Sequence, residues 1–196
     1  MEASNLPHLL GITGYARSGK DTVADILVEK FSYTKVGFTD ELKECLVILN
    51  PIVKVESAGP VHYQDLLLRH GDLEAIKRED PVAMQEVRRL LQTLGTEVMR
   101  NKLGSNVHID MTFNKIERSP ISKNVIKDVR YKNEAKALRE RGGKVIRVTR
   151  PGVSAPPNSH SSETELDHIK VDAVINNDGT MKDLEASILR VISSFD

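Results

Sequence analysis

Between His8 and Phe31 an apolar run, a glycine-bounded turn and an amphipathic run follow in succession. His8-Leu9-Leu10-Gly11-Ile12-Thr13 is short and apolar, as a strand buried in a parallel sheet should be. Val23, Ile26, Leu27 and Phe31 recur on one face of a helix. The turn between them contains Gly14, Gly19 and Lys20 in the spacing G-x-x-x-x-G-K, with Asp21 where Ser or Thr is usual. Glycines let such a turn curl until its N–H groups converge on an anion. The helix that follows adds unpaired N-terminal donors and the positive end of its dipole. An accidental glycine-rich turn would not bring both flanks, so the stretch reads as a loop that grips the phosphates of a nucleotide.

The rest of the chain alternates in the same way. Lys35–Phe38 reads as a weak second strand and Asp40–Leu49 as a helix. Residues 51–80 carry Gly59-Pro60, Gly71 and Asp80-Pro81 and show little pattern beyond a short helix near Tyr63–Arg69. Pro81 suits the first turn of a long helix. Its stripe is Met84, Val87, Leu91, Leu94 and Val98, and Gly104 ends it. Further strands are expected at Asn124–Asp128, Lys144–Thr149 and Ala173–Asn176, with a helix at Asn133–Arg141 stopped by Gly142-Gly143. Thr180 and Asp183 form a capping-box pattern before a last helix that turns Leu184, Ile188, Leu189 and Ile192 inward. Five short strands alternating with helices predict an α/β fold with a mostly parallel five-stranded sheet flanked by helices. Ligands of such sheets bind at the carboxyl ends of the strands. The glycine loop, Asp40, Asp128, Arg150 and Asn177 all follow strand ends and are therefore expected on one rim.

Composition narrows the function. Lys plus Arg and Asp plus Glu both number 28 in 196 residues, which argues against a nucleic-acid binder, whose footprint is a basic excess. The N-terminal residues lack a charged-then-apolar signal pattern, and no apolar stretch is long enough to span a membrane. The one cysteine, Cys45, fits a reducing cytoplasm and reads as a small buried hydrophobe among Leu42, Leu46 and Leu49. The stripe from Met84 to Val98 would serve a core or a homodimer interface equally well.

Phosphoryl transfer needs a cation clamp, a magnesium ligand and a held acceptor. Lys20 supplies part of the clamp. Asp21 could bind magnesium directly, hold it through water or accept a proton; a first-turn Asp favoured by the helix dipole is compatible with all three. Thr22 bonds an α-phosphate or caps the turn. Asp128, at the end of an apolar strand, suits magnesium or its water shell, and Arg130 beside it offers a phosphate-binding fork. Arg88 and Gln92 share a helix face one turn apart; they could hold a phosphate and read a base, or form a solvated face, and the same choice holds for Asp40 and Lys43. Residues 152–168, with His160 and Glu163, read as a lid that excludes water or as a plain surface loop.

Several segments together resemble one family, the bacteriophage-type deoxynucleoside monophosphate kinases of the P-loop nucleoside monophosphate kinase group. They are Ser18-Gly-Lys-Asp-Thr-Val-Ala-Asp25, Phe38-Thr-Asp-Glu-Leu-Lys43, Arg89-Leu-Leu-Gln-Thr-Leu-Gly-Thr-Glu97, Asp128-Val-Arg-Tyr-Lys-Asn-Glu-Ala135, Val145-Ile-Arg-Val-Thr-Arg-Pro151, His160–Glu163 and Asn176-Asn-Asp-Gly-Thr180. The resemblance covers most of the chain outside residues 50–80. It departs at Lys132, where the family commonly has proline. It implies a P-loop kinase fold in a single domain, with a core at 8–49 and 123–196, a helical acceptor-binding insertion at 50–118 and a short lid at 152–168. It implies ATP as donor, Mg2+ and a deoxynucleoside 5′-monophosphate as acceptor, in the cytoplasm, or the host cytoplasm for a phage-encoded chain. On this reading Gly14, Ala16, Arg17, Ser18, Gly19, Lys20, Asp21 and Thr22 hold the ATP phosphates, with Arg150 and Asn177 near the adenine. Asp40, Lys43, Arg88, Gln92 and Arg130 surround the acceptor. Lys20, Asp21, Asp128 and Arg130 carry the chemistry, and Asp21 and Asp128 meet the metal directly or through water. Two other readings share the donor loop: a P-loop kinase for another phosphorylated metabolite, of phosphomevalonate or dephospho-coenzyme A type, and a nucleotide switch. No Asn-Lys-x-Asp guanine-reading motif supports the switch.

Overall fold

A computed structural model describes residues 6–121, 123–154 and 166–195. The chain divides into two compact units, one formed by Met1–Phe38 with Met111–Asp196 and one by Thr39–Asp110. No helix among the described residues is long and apolar enough to cross a membrane.

The first unit is built on a five-stranded sheet of β1 (Leu9–Thr13), β2 (Thr34–Gly37), β5 (Asn124–Lys127), β6 (Lys144–Thr149) and β7 (Ala173–Asn176), in the order β2-β5-β1-β6-β7. Every pairing is parallel; β1 is the middle strand of the five, and all five of its residues are buried. On one face Leu10 and Ile12 pack with Val23, Ile26 and Leu27 of α1 (Lys20–Phe31) and with Leu184, Ile188 and Ile192 of α8 (Met181–Ile192). On the other, Gly11 lets Leu138 of α7 (Lys132–Glu140) lie against the sheet, where a Cβ would stand 2.5 Å from its Cδ1. The capping box expected at Thr180 is formed, with Thr180 Oγ1 accepting from the Asp183 N–H. Leu189 departs from expectation: it is 41% exposed, because the inward stripe of α8 is Leu184, Ile188 and Ile192, and Leu189 lies about 100° round from Ile188.

The second unit contains α2 (Asp40–Leu49), an antiparallel hairpin of β3 (Ile52–Glu56) and β4 (Gly59–His62), α3 (Tyr63–His70), α4 (Leu73–Glu79) and α5 (Pro81–Gln92). Leu46, Val53, Tyr63, Leu66, Ile76 and Val87 are among its core residues. Asp80 joins the two helices on either side of it: its Oδ1 accepts from the Ala83 N–H, and its Oδ2 accepts from Lys54 of the hairpin at 2.9 Å. The expected long helix after Pro81 is continuous, but from Thr93 to Leu103 it widens into a π-helix. Its last bond runs five residues back, from the Gly104 N–H to the Met99 carbonyl. The wider turn shifts the inward register, so Met99 is 7% exposed and Val98, expected inside, is 42% exposed. Cys45 is only half-buried and Leu49 is exposed, since α2 turns just Leu42 and Leu46 fully inward. The chain continues into α6 (Val107–Arg118), an element with no clear signal in the sequence.

Candidate active site

The glycine loop leaves the carboxyl end of β1 and enters α1 through three positive-φ residues, Gly14 (145°), Arg17 (69°) and Gly19 (103°). Two of them are also hemmed in. A Cβ on Gly14 would stand 2.4 Å from the Val148 carbonyl oxygen, and one on Gly19 would stand 2.3 Å from Nδ2 of Asn177. Asn177 braces the loop from behind. Its own N–H donates to the Thr149 carbonyl at 2.7 Å, and its Nδ2 donates to the Ser18 carbonyl at 2.9 Å. The N-terminus of α1 receives no side-chain cap, which leaves first-turn N–H groups available to an anion. Ser18 Oγ is buried with no hydrogen-bond partner among the described residues.

Lys20 folds over this loop. Its Nζ donates to the carbonyls of Gly14 and Tyr15, at 2.7 and 2.9 Å, and lies 3.6 Å from Asp128 Oδ1. Asp128 follows β5 with φ at 68°. The next residue, Val129, is fully buried and donates its N–H to the Ile12 carbonyl. The backbone is therefore pinned immediately after the carboxylate. Arg130 then reaches back, placing Nε 2.7 Å and a terminal guanidinium nitrogen 2.6 Å from Asp128 Oδ2. One carboxylate thus stands between two cations, each on a different oxygen. The trio carries a net positive charge beside a loop of N–H donors, which suits a polyanion.

Glu134 holds this arrangement in place. It is 4% exposed, and its Oε2 accepts the N–H groups of Arg130 (2.8 Å) and Tyr131 (3.1 Å). Its position three residues after Tyr131, at the start of α7, was the available signal; Tyr in place of Ser or Thr hid the capping pattern. A second brace had no local signal. Tyr15 of the loop donates its hydroxyl to Asp167, 152 positions away, at 2.5 Å. Arg147 holds the same returning segment through the carbonyls of Leu166 and Ile169. Tyr15, Ser18, Arg147, Arg150 and Asp167 border a small cavity of about 80 Å³.

Asp21 is exposed in the first turn of α1, and its carboxylate has no partner among the described residues. No group of three or more His, Cys, Asp or Glu that could hold a metal occurs among those residues. Asp21 and Asp128 are carboxylates close to the loop, and one or two carboxylates with phosphates and water are the usual mode of holding magnesium. Of the remaining expected residues, Asp40 and Lys43 pair with each other at 2.9 Å on α2. Arg88 and Gln92 are exposed on α5 and line an open groove of about 1100 Å³ with Val53, Lys54 and Gln85. Arg89 turns instead to Glu86. Asp80 in this unit has a lowered pKa: burial opposes ionisation, but the Ala83 N–H and Lys54 outweigh it. His160 and Glu163 lie outside the described residues.

The sequence is 27% identical to a putative deoxynucleotide monophosphate kinase of Acanthamoeba polyphaga mimivirus, over 95% of this chain and 96% of that relative. It is 24% identical to the deoxynucleotide monophosphate kinase of Escherichia phage RB69, over 94% and 99%. Among solved structures, dephospho-CoA kinase from Campylobacter jejuni is similar over 96% of this chain and 97% of that one, with a TM-score of 0.46 and 15% identity. The family model for deoxynucleotide monophosphate kinase matches residues 74–188, a span that holds Asp128, Arg130 and Glu134 and runs past the β7 brace at Asn177. With more than half of the sequence matched, the chain belongs to the deoxynucleotide monophosphate kinase family.

Proposed function

We propose that this chain transfers the γ-phosphoryl group of ATP, with Mg2+, to a deoxynucleoside 5′-monophosphate, giving ADP and the diphosphate. The observation that carries the reading is the Lys20–Asp128–Arg130 cluster: two cations on opposite oxygens of one carboxylate, beside a loop built to hold phosphates. Lys20 releases the Gly14 and Tyr15 carbonyls and turns to the β- and γ-phosphates of the donor, while the loop and first-turn N–H groups hold the same phosphates. Arg130 takes the acceptor phosphate and the equatorial oxygens that gain charge during transfer. Asp128 fixes the direction of both cations. Asp128 and Asp21 would hold magnesium, directly or through water, and the ion would supply charge neutralisation on the donor phosphates. Asp40, Lys43, Arg88 and Gln92 bind the acceptor nucleotide, and Arg150 lies toward the adenine. Its partners on this reading are small-molecule nucleotides, and we assign the reaction to the cytoplasm, that of the host for a phage-encoded chain.

The test is acceptor dependence. The protein with ATP and magnesium should release ADP slowly by itself and much faster with at least one deoxynucleoside monophosphate from a panel that includes the ribonucleotides. Acceptance of none would overturn the proposal, and stimulation by a different phosphorylated metabolite would reassign the acceptor.

A further inference from the structure

The first unit has a further concavity, of about 290 Å³, between α7 and the segment that leads into β7. That volume is close to the small end of ligand sites, roughly 300 Å³. Its floor is apolar: Ala135 and Ile169 both line it and are buried within the protein. Its rim is mainly cationic, although Glu140 and His168 also line it. Lys132 and Lys136, one helical turn apart on α7, face it together with Lys170. Lys132 and Lys170 are exposed and have no ion pair among the described residues. Lys136 has only a loose, exposed contact with Glu140 at 3.7 Å, of a kind that contributes little. Arg139 completes the wall and is fixed by Asp172 and by the Lys170 carbonyl. A chain with no net charge has therefore gathered three lysines around an apolar pit, one of them loosely paired.

Both walls of the pit connect to the donor loop region. The first turn of α7 carries Glu134, which holds the backbone of Arg130 and Tyr131. On the other wall, Arg147 grips the Ile169 carbonyl, and Asp167, two residues earlier, accepts the hydroxyl of Tyr15.

The geometry points to a second nucleotide site here, one that takes a nucleoside triphosphate with its base or sugar on Ala135 and Ile169 and its phosphates on Lys132, Lys136 and Lys170. Flexible lysines suit a polyphosphate as point charges, and the apolar floor favours a nucleoside over a bare anion.

The site can be tested by binding alone, so its failure is separate from any failure of the kinase reading. Titration calorimetry is run with dATP and with inorganic tripolyphosphate on the full chain carrying Lys20→Ala, which weakens the donor loop. The same background is then combined with Lys132→Glu and Lys170→Glu, or with the control Lys77→Glu and Lys182→Glu, which changes the net charge equally at other exposed lysines. The expected result is dATP binding in the Lys20→Ala chain that drops at least tenfold with the Lys132 and Lys170 changes and less than threefold with the control, with dATP binding tighter than tripolyphosphate. Equal loss in the two charge-reversed chains, or no binding in the Lys20→Ala chain, would overturn the site. Equal affinity for dATP and tripolyphosphate would overturn the place of the nucleoside on the floor.

Discussion

Asp128 is held in a left-handed backbone conformation, at φ 68°, uncommon outside glycine although Asp tolerates it better than most, and its surroundings enforce it. The enforcement is visible: Val129 is locked onto β1 on one side, and two cations take the carboxylate on the other. The two cations have different predicted tasks. Lys20→Ala should lower kcat by about a hundredfold or more with every acceptor, the cost typical of losing one charge-stabilising group in the transition state. Arg130→Ala should raise the KM for the monophosphate and lower kcat while leaving ATP affinity nearly unchanged. Weakened ATP binding in Arg130→Ala would move that residue to the donor. Glu134 is a positioning residue. Replacing it with Ala strips the acceptor from two N–H groups, at roughly 1–3 kcal/mol for each donor left unpaired, and should lower both the urea midpoint and kcat. Glu134→Gln keeps an accepting oxygen and should recover most of both. Failure of Gln to recover either would mean that the charge, not the hydrogen bonds, matters.

Among the elements, what the sequence made legible depended on whether structure was local. Strands β6 and β7, helix α2 and the Thr180 cap could be read from periodicity and end signals because the residues that define them are neighbours. The hairpin β3–β4 was not readable, because an irregularity between Ile52 and Lys54 breaks the alternation of its strands. The π-helix was invisible because the apolar spacing near Leu94 fits either helix type until Met99 replaces Val98. The site followed the same rule. The loop and the strand-end residues Asp128 and Arg130 could be picked out one at a time, whereas the Tyr15–Asp167 and Asn177–Ser18 braces join residues more than 150 positions apart. Asp80 ties three elements of the second unit and gives it a pH dependence. Its folded pKa is lowered, so its contribution to stability is complete above the ordinary carboxylate value of about 4 and is lost as pH falls below it. The urea midpoint should therefore fall between about pH 5 and 3, and fall less steeply in Asp80→Asn. An unchanged slope in that variant would assign the acid sensitivity elsewhere. In the sheet unit, burial pushes the Tyr33 phenol up to about 12. Its contribution holds below about pH 10, where an unfolded tyrosine begins to ionise, and is lost between there and about 12.

For the whole molecule, a parallel sheet with buried strands explains how distant positions come together: Gly14, Asp128, Arg150 and Asn177 each begin the connection after a strand of one sheet. Membership of the deoxynucleotide monophosphate kinase family and this rim of charged residues support the same chemistry, and that chemistry makes one direct demand. With ATP labelled in its γ-phosphate, magnesium and a deoxynucleoside monophosphate, label should appear in the deoxynucleoside diphosphate, one equivalent for each ADP formed, and should disappear from that product in the Lys20→Ala chain. Label recovered only as inorganic phosphate, at a rate indifferent to the acceptor, would contradict the account.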